Sequence, residues 1–246
     1  MNVFIIGGTS GIGLALASYY HLQGNRVGIC GRDLQKLADE SRFEKYQADV
    51  TNIVQLQNVI QHFAGERTLS LLINCAGSYA EDVADEISYE EAVAMLQTNI
   101  MGAVNCLEVG RKAMYHTGGQ IVLLASISGI LDYPESSLYT KTKRSVMQIA
   151  DAYRRALRRY GIAITTIAPG YVNTKKLRDL NHNDLSKKPF LVTEAQAVSE
   201  ITQAITEKKA LLLFPKQMKW LMRFLSYMPS FLLSKIMYKK AHYMKK

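Results

Sequence analysis

Asn2-Val3-Phe4-Ile5-Ile6-Gly7-Gly8-Thr9-Ser10-Gly11-Ile12-Gly13 is the stretch from which the architecture can be read. Its apolar start predicts a strand over Asn2–Ile6, the glycine turn follows at once, and LALASYYHLQG continues as a helix. Strand, glycine turn and helix in this order are the context in which such glycines serve a ligand. Gly7 permits the tight turn, Gly11 lets backbone approach a pyrophosphate, and Gly13 lets the helix sit close on the strand. The helix start adds free N–H groups and a positive dipole end for phosphates. The plainer alternative is a glycine turn that holds nothing.

Working outward, further strands are expected at Arg26–Cys30, Glu44–Ala48, Leu69–Ile73, Gly119–Ala125, Ile162–Ala168 and Ala210–Phe214. Helices are expected at Ile53–Phe63, at two places between Gly77 and Ala113 (the second over Ala92–Ala113), at Ser136–Tyr160, and at Thr193–Thr206 with Thr193 as cap. This alternation predicts an α/β fold: a Rossmann-type doubly wound parallel sheet of about seven strands with helices on both faces. Residues 1–214 form that domain, and residues 215–246 a basic amphipathic helical extension. The polar segment 175–192 (KKLRDLNHNDLSKKPFLV) is expected to be a mobile loop over the site.

Composition narrows the function. The net charge of +9 suggests nucleic acid until it is located: ten of the 30 Lys and Arg residues, and none of the 21 Asp and Glu, follow Glu207. The first 207 residues, with 20 basic and 21 acidic side chains, therefore carry −1, and no nucleic-acid partner is expected. Cys30, Cys75 and Cys106 are too few and too scattered for a disulfide framework or a metal cluster. They indicate a reducing compartment, so the protein is expected in the cytoplasm, at most peripheral on the inner face of a membrane. The sequence runs from Met1 into its first expected strand, so no secretion leader is expected, and no apolar run is long enough for a bilayer-spanning helix to be expected.

Chemistry enters at Tyr139-Thr140-Lys141-Thr142-Lys143. Tyr139 and Lys143 are four apart on one helix and share a face. An ammonium beside a phenol favours the phenolate and lowers a pKa that is otherwise near 10. Alone, this spacing usually arises by accident. Cofactor choice is read at the end of the second strand, Gly31-Arg32-Asp33, where an acid would hold a ribose 2′-hydroxyl and an Arg would accommodate a 2′-phosphate. Asp33 has the spacing of that acid and makes a case for NAD(H), yet it lies beyond the strand end, before LQKLADE, as a good helix cap. Gly31 offers no carboxylate and Arg32 stands beside it, so NADP(H) is favoured.

IGGTSGIG, Asp49, the run Asn74-Cys75-Ala76-Gly77, Asn99, Ser126, YTKTK and PGYVNT together resemble the short-chain dehydrogenase/reductase family in its compact single-domain branch, over about Asn2 to Phe214. Two departures are Ile6, where the family usually has Thr, and the absence of an Asp-Gly-Gly ending. The resemblance implies that Tyr139 exchanges a proton with the substrate oxygen, that Ser126 hydrogen-bonds that oxygen, and that Lys143 lowers the phenol pKa and holds the nicotinamide ribose. It implies that Asn99 supports a water linking Lys143 to solvent, that Thr174 and the Val172 backbone hold the carboxamide, and that Gly7, Ser10, Ile12 and Asn74 line the cofactor. Thr9, Gly11, Gly13, Arg32, Asp49, Val50, Ala76, Gly77, Pro169 and Gly170 complete the cofactor set. No metal is implied. The expected partner is a small carbonyl or alcohol. The alternative is a non-catalytic nucleotide-binding regulator; a sugar-nucleotide epimerase would need a larger C-terminal domain than residues 215–246 provide.

The extension has two amphipathic segments, KQMKWLMRFLSYM (216–228) and SFLLSKIMYKKAHYMKK (230–246). In the first, Lys216, Lys219 and Arg223 share one face and Trp220, Leu221, Phe224, Leu225 and Met228 cover much of the rest. In the second, Lys235, Lys239, His242 and Lys246 form a stripe with Leu232, Leu233, Ile236 and Met237 mostly opposite. Either a membrane surface covers the apolar faces, or they lie on the protein's own core or a homodimer mate. Packing on the protein is favoured for the first segment and the membrane for the second.

Overall fold

A computed structural model of the chain describes residues 1–37, 41–80 and 87–243. Strands β1 (Asn2–Ile6), β2 (Arg26–Gly31), β3 (Glu44–Gln47), β4 (Leu71–Asn74), β5 (Gly119–Leu124), β6 (Ile162–Pro169) and β7 (Leu211–Phe214) form one parallel sheet. Their order is β3-β2-β1-β4-β5-β6-β7, so the chain reverses direction across the sheet between β1 and β4. Ligands of such sheets sit outside the carboxyl ends of the strands at that reversal.

Helices cover both faces because β1 is apolar on both. Phe4 and Ile6 belong to a core shared with Leu56, Phe63, Leu107 and Val146; Val3 and Ile5 belong to the other, with Leu16, Ala197 and Ile201. The first core lies under α2 (Ile53–Ala64), α4 (Gly102–Ala113) and α5 (Leu138–Leu157), the second under α1 (Gly11–Leu22) and α7 (Glu194–Thr206). Local chemistry fixes the starts: Asn52 accepts from the amides of Val54 and Gln55, Ser137 from Thr140, and Thr193 forms a reciprocal capping box with Gln196. The expected fold class and all seven strands are borne out.

Four expectations need correction. The helix expected over Ala92–Ala113 is broken: α3 (Tyr89–Leu96) and α4 flank a five-residue π-helical turn, Gln97–Met101, that contains Asn99. Residues 81–86, in the stretch between Gly77 and Ala92 where a first helix was expected without stated bounds, lie outside the described residues. After Asp33 the described chain makes one short turn, Gln35–Leu37, in which the Asp33 carboxylate accepts from the Gln35 amide; residues 38–40 lie outside the described ones. Segment 175–192 is not without anchors: it opens with α6 (Lys175–Leu180), capped by Thr174, and Val192 bridges back to Val172. The extension forms α8 (Lys216–Ser226) and α9 (Ser230–Tyr243), whose faces differ from those expected. In α8, Met218 is buried and Met222 packs on the core, while Trp220, Leu221 and Phe224 face outward alongside Lys216 and Arg223. In α9, Leu233 is buried but Leu232 and Ile236 are exposed like Lys235.

Candidate active site

The glycine turn meets β4 at the sheet reversal. Gly7 has a left-handed φ of +74°, and a Cβ there would stand 2.6 Å from the Ala76 amide nitrogen. A Cβ on Gly13 would fall 2.3 Å from the Gly7 carbonyl oxygen, so only glycine lets α1 start this close to the turn. Gly7 and Gly8 donate their amides to the Cys30 carbonyl, tying the turn to β2. Thr9 and Ser10 complete it, and Gly11, Ile12 and Gly13 form the first turn of α1. The Thr174 side chain lies over Gly11 from the opposite wall, 3.6 Å from where a Cβ would be. Pro169 ends β6, the Gly170 amide bonds the Phe214 carbonyl, and Val172 is held by its bridge to Val192.

At the end of β4, the buried Asn74 carboxamide accepts from the Ala76 amide at 3.0 Å, bending the chain into Gly77. At the end of β3, Asp49 turns its carboxylate onto Thr51 and Val50 is buried; Asn105 of α4 donates to the Val50 and Thr51 carbonyls. Asp49 thus shapes its own turn. At the end of β2, the Thr9 side chain fills the space where a Gly31 side chain would be, at 2.7 Å from a built Cβ. No carboxylate could occupy that position without displacing Thr9. Arg32 beside it is exposed.

The four proposed catalytic side chains come from three elements and converge. Ser126 follows β5, heads the short turn Ile127–Ile130, bonds the Ser128 hydroxyl, and lowers the pKa of the neighbouring Tyr139 phenol. Tyr139 and Lys143 lie one turn apart on α5, with the Lys143 ammonium 5.7 Å from the Tyr139 ring centre and donating to the Leu124 carbonyl at 3.2 Å. Asn99, 2% exposed, accepts from the Ser78 amide and donates to the Ser78 carbonyl and to Thr142 Oγ1. Thr142 in turn donates to the Tyr139 carbonyl at 2.8 Å. The π-helical turn supplies the extra residue that aims Asn99 inward from an otherwise apolar helix face. A Cβ on Gly77 would lie 3.2 Å from Lys143 Nζ and 3.5 Å from Asn99 Oδ1, so this run joins the glycine turn to the catalytic group.

Electrostatics departs from expectation at Tyr139. Burial pushes its phenol up to about 12, the Ser126 hydrogen bond pulls the other way, and the Tyr79 ring, edge-on at 5.1 Å, adds to the rise. Lys143 is itself shifted: burial, with Lys176 adding to it, drops the ammonium to about 8. Lys176 is the residue that sequence reasoning missed. From the first turn of α6 it crosses to donate to the Gly77 carbonyl at 3.1 Å, and burial and the charge of Arg32 lower its pKa. Cations at a helix start run against the dipole, a signal that becomes visible only once that start is known.

Lys176 feels the positive charge of Arg32, and Lys143 that of Lys176, so the three form a row of cations. Glycine turn, helix start and cation row fit a dinucleotide phosphate chain. Among the described residues no group of three or more His, Cys, Asp or Glu is placed to hold a metal ion.

A family model described as short chain dehydrogenase matches residues 1–185. An uncharacterized oxidoreductase of Staphylococcus aureus (strain USA300) is 29% identical over 217 residues, covering 83% of this chain and 90% of that protein. One from Staphylococcus haemolyticus (strain JCSC1435) is 33% identical over 181 residues, covering 69% and 77%. Among solved structures, ElxO with NADP bound has a TM-score of 0.77 at 27% identity, covering 86% of this chain and 96% of that one. The fold also matches a short chain dehydrogenase from Burkholderia cenocepacia J2315, solved in complex with NADP, with a TM-score of 0.78 at 20% identity and coverage of 92% of each chain.

Proposed function

The chain belongs to the short chain dehydrogenase family, and on that premise we propose that it is an NADP(H)-dependent oxidoreductase interconverting a carbonyl and the matching alcohol of a small molecule. The observation that carries this reading is the convergence of Ser126, Tyr139, Lys143 and Asn99 on the side of Gly77 away from the glycine turn. A protein that only bound a nucleotide would need the turn but not these four.

When bound, the nicotinamide supplies or accepts the hydride. Gly7, Thr9, Ser10, Gly11, Ile12 and Gly13 hold the diphosphate, and Asp49, Val50, Asn74, Ala76 and Gly77 border the adenosine and ribose. Pro169, Gly170, Val172 and Thr174 border the carboxamide. Arg32 takes a 2′-phosphate, a preference supported by Thr9 occupying the space a carboxylate at Gly31 would need, and by the NADP bound to ElxO, itself 27% identical. NAD(H) is the weaker alternative.

Ser126 Oγ and Tyr139 Oη bind the substrate oxygen, and a phenol with a pKa of about 12 is protonated at neutral pH. Tyr139 is thus ready to donate a proton in the reductive direction. An anionic cofactor beside Lys143 would favour its charged form, which in turn favours the phenolate needed for alcohol oxidation. Asn99 positions Ser78 and, through Thr142, the Tyr139 backbone. The unpaired cysteines Cys30 and Cys106, both buried, agree with a cytoplasmic setting.

Loss of NADPH absorbance against a panel of aldehydes, ketones and keto thioesters tests the reading. Turnover of at least one carbonyl with NADPH, slower with NADH, is expected. Cofactor binding without turnover of any carbonyl or alcohol would favour the regulator.

A further inference from the structure

Helix α8 is fixed to the catalytic domain by one side only. Met218 is buried against Gly170, Met222 reaches the core beside it, and the helix lies on the turn Ile127–Ile130 that follows Ser126. The opposite side is a continuous stripe at three- and four-residue spacing: Lys216, Trp220, Arg223, Phe224 and Tyr227. Trp220 is 65% exposed, Phe224 70% and Tyr227 88%, and Phe231 continues the row into α9 at 74%. The Arg223 guanidinium lies 5.9 Å from the Trp220 ring centre. Aromatic rings held outward along successive turns form a patch rather than scattered exposure.

We propose that this α8–α9 face docks on an anionic lipid surface. Three features select that occupant. Aromatic and basic side chains alternate along one stripe, the arrangement of an interfacial helix whose rings enter the headgroup region while its cations meet lipid phosphates. The chain after Glu207 carries ten basic residues and no acid, whereas the rest is nearly neutral, so the positive field is confined to this end. A two-fold dimer through the same face would set the cationic stripe against itself. Among the described residues no helix is long and apolar enough to cross a membrane, so the contact is peripheral. Docking brings the turn that carries Ser126 next to the lipid surface.

Trp220 is the chain's only tryptophan and reports on the contact directly. Full-length protein is mixed at low ionic strength with vesicles of phosphatidylglycerol and phosphatidylcholine, or of phosphatidylcholine alone. The expected result is a shift of emission to shorter wavelength, quenched by brominated acyl chains, with the anionic vesicles and reversed by high salt. Phe224→Asp, at an exposed position that leaves the thermal melt unchanged, should lower vesicle binding by about tenfold. Three outcomes would overturn the proposal. One is unchanged emission with anionic vesicles. Another is equal binding by wild type and Phe224→Asp. The third is a shift that depends on protein concentration without lipid, which would assign the face to a second copy of the chain. None of these readouts depends on catalytic activity.

Discussion

The Lys176 ammonium donates to the Gly77 carbonyl at 3.1 Å, spanning the cleft between the start of α6 and the end of β4. Its pKa is lowered by burial and by Arg32, and it lowers that of Lys143 in turn. A cation at the mouth of the cleft whose hydrogen bond is to a neutral carbonyl gains from any anion that enters. Lys176→Ala should therefore weaken NADPH binding by about tenfold and flatten its salt dependence, as read by fluorescence titration. Affinity equal to wild type would mean that Lys176 only braces Gly77.

In the proposed reading, cofactor choice rests on Arg32. A charge-assisted hydrogen bond to a 2′-phosphate contributes about 1.5–3 kcal/mol, so Arg32→Ala should cost roughly tenfold or more in NADPH affinity while NADH affinity stays the same. Isothermal titration with both nucleotides measures this. An equal loss for both would move the discrimination to another residue.

Asn99 and Thr142 form a buried pair at 3.0 Å, and Asn99 spends its carboxamide oxygen and both N–H donors on Ser78 and Thr142. Thr142→Val keeps the shape but strands one of these donors, at a cost of about 1–3 kcal/mol. Chemical denaturation should show that loss of stability. A change of a few tenths would show that the amide finds another partner.

Lys143 carries a cost that varies with pH. Its folded pKa of about 8 lies below the ordinary 10.5, so its charge opposes folding at and below pH 8, by about 3 kcal/mol at most. Between pH 8 and 10.5 the unfolded chain binds the extra proton and the folded one does not, so this contribution to stability rises with pH. Lys143→Met should then be more stable than wild type near pH 7, with the advantage shrinking toward pH 10.5 in urea titrations. A variant less stable at pH 7 would show that the Leu124 hydrogen bond outweighs the desolvation.

Features carried by local sequence were legible. The Asn2–Gly13 run, the Thr193 cap and the buried apolar strands depend on neighbours in the chain, and the seven strands fall within two residues of expectation. Features that arise between distant segments were not. Lys176 meets Gly77 across 99 positions, and no spacing in KKLRDL announces that contact. The π-helical turn at Asn99 inserts a residue into a pattern that reads as one continuous helix. The Tyr139 phenol shows the same limit: its four-residue spacing to Lys143 was visible, but burial, which decides its pKa, was not. Thr142 was within reach of local reasoning, since a helical Thr commonly bonds the carbonyl three or four residues back.

In the proposed reaction the proton passes through the Tyr139 hydroxyl. Tyr139→Phe keeps the ring and its contact with Tyr79, leaves the glycine turn untouched, and removes only the phenolic oxygen. The measurement is NADPH turnover with the best carbonyl substrate, alongside NADPH affinity in the same preparation. Unchanged affinity and a turnover lower by roughly 10²–10⁴-fold are expected. Turnover within a few-fold of wild type would contradict it and place the proton donor elsewhere.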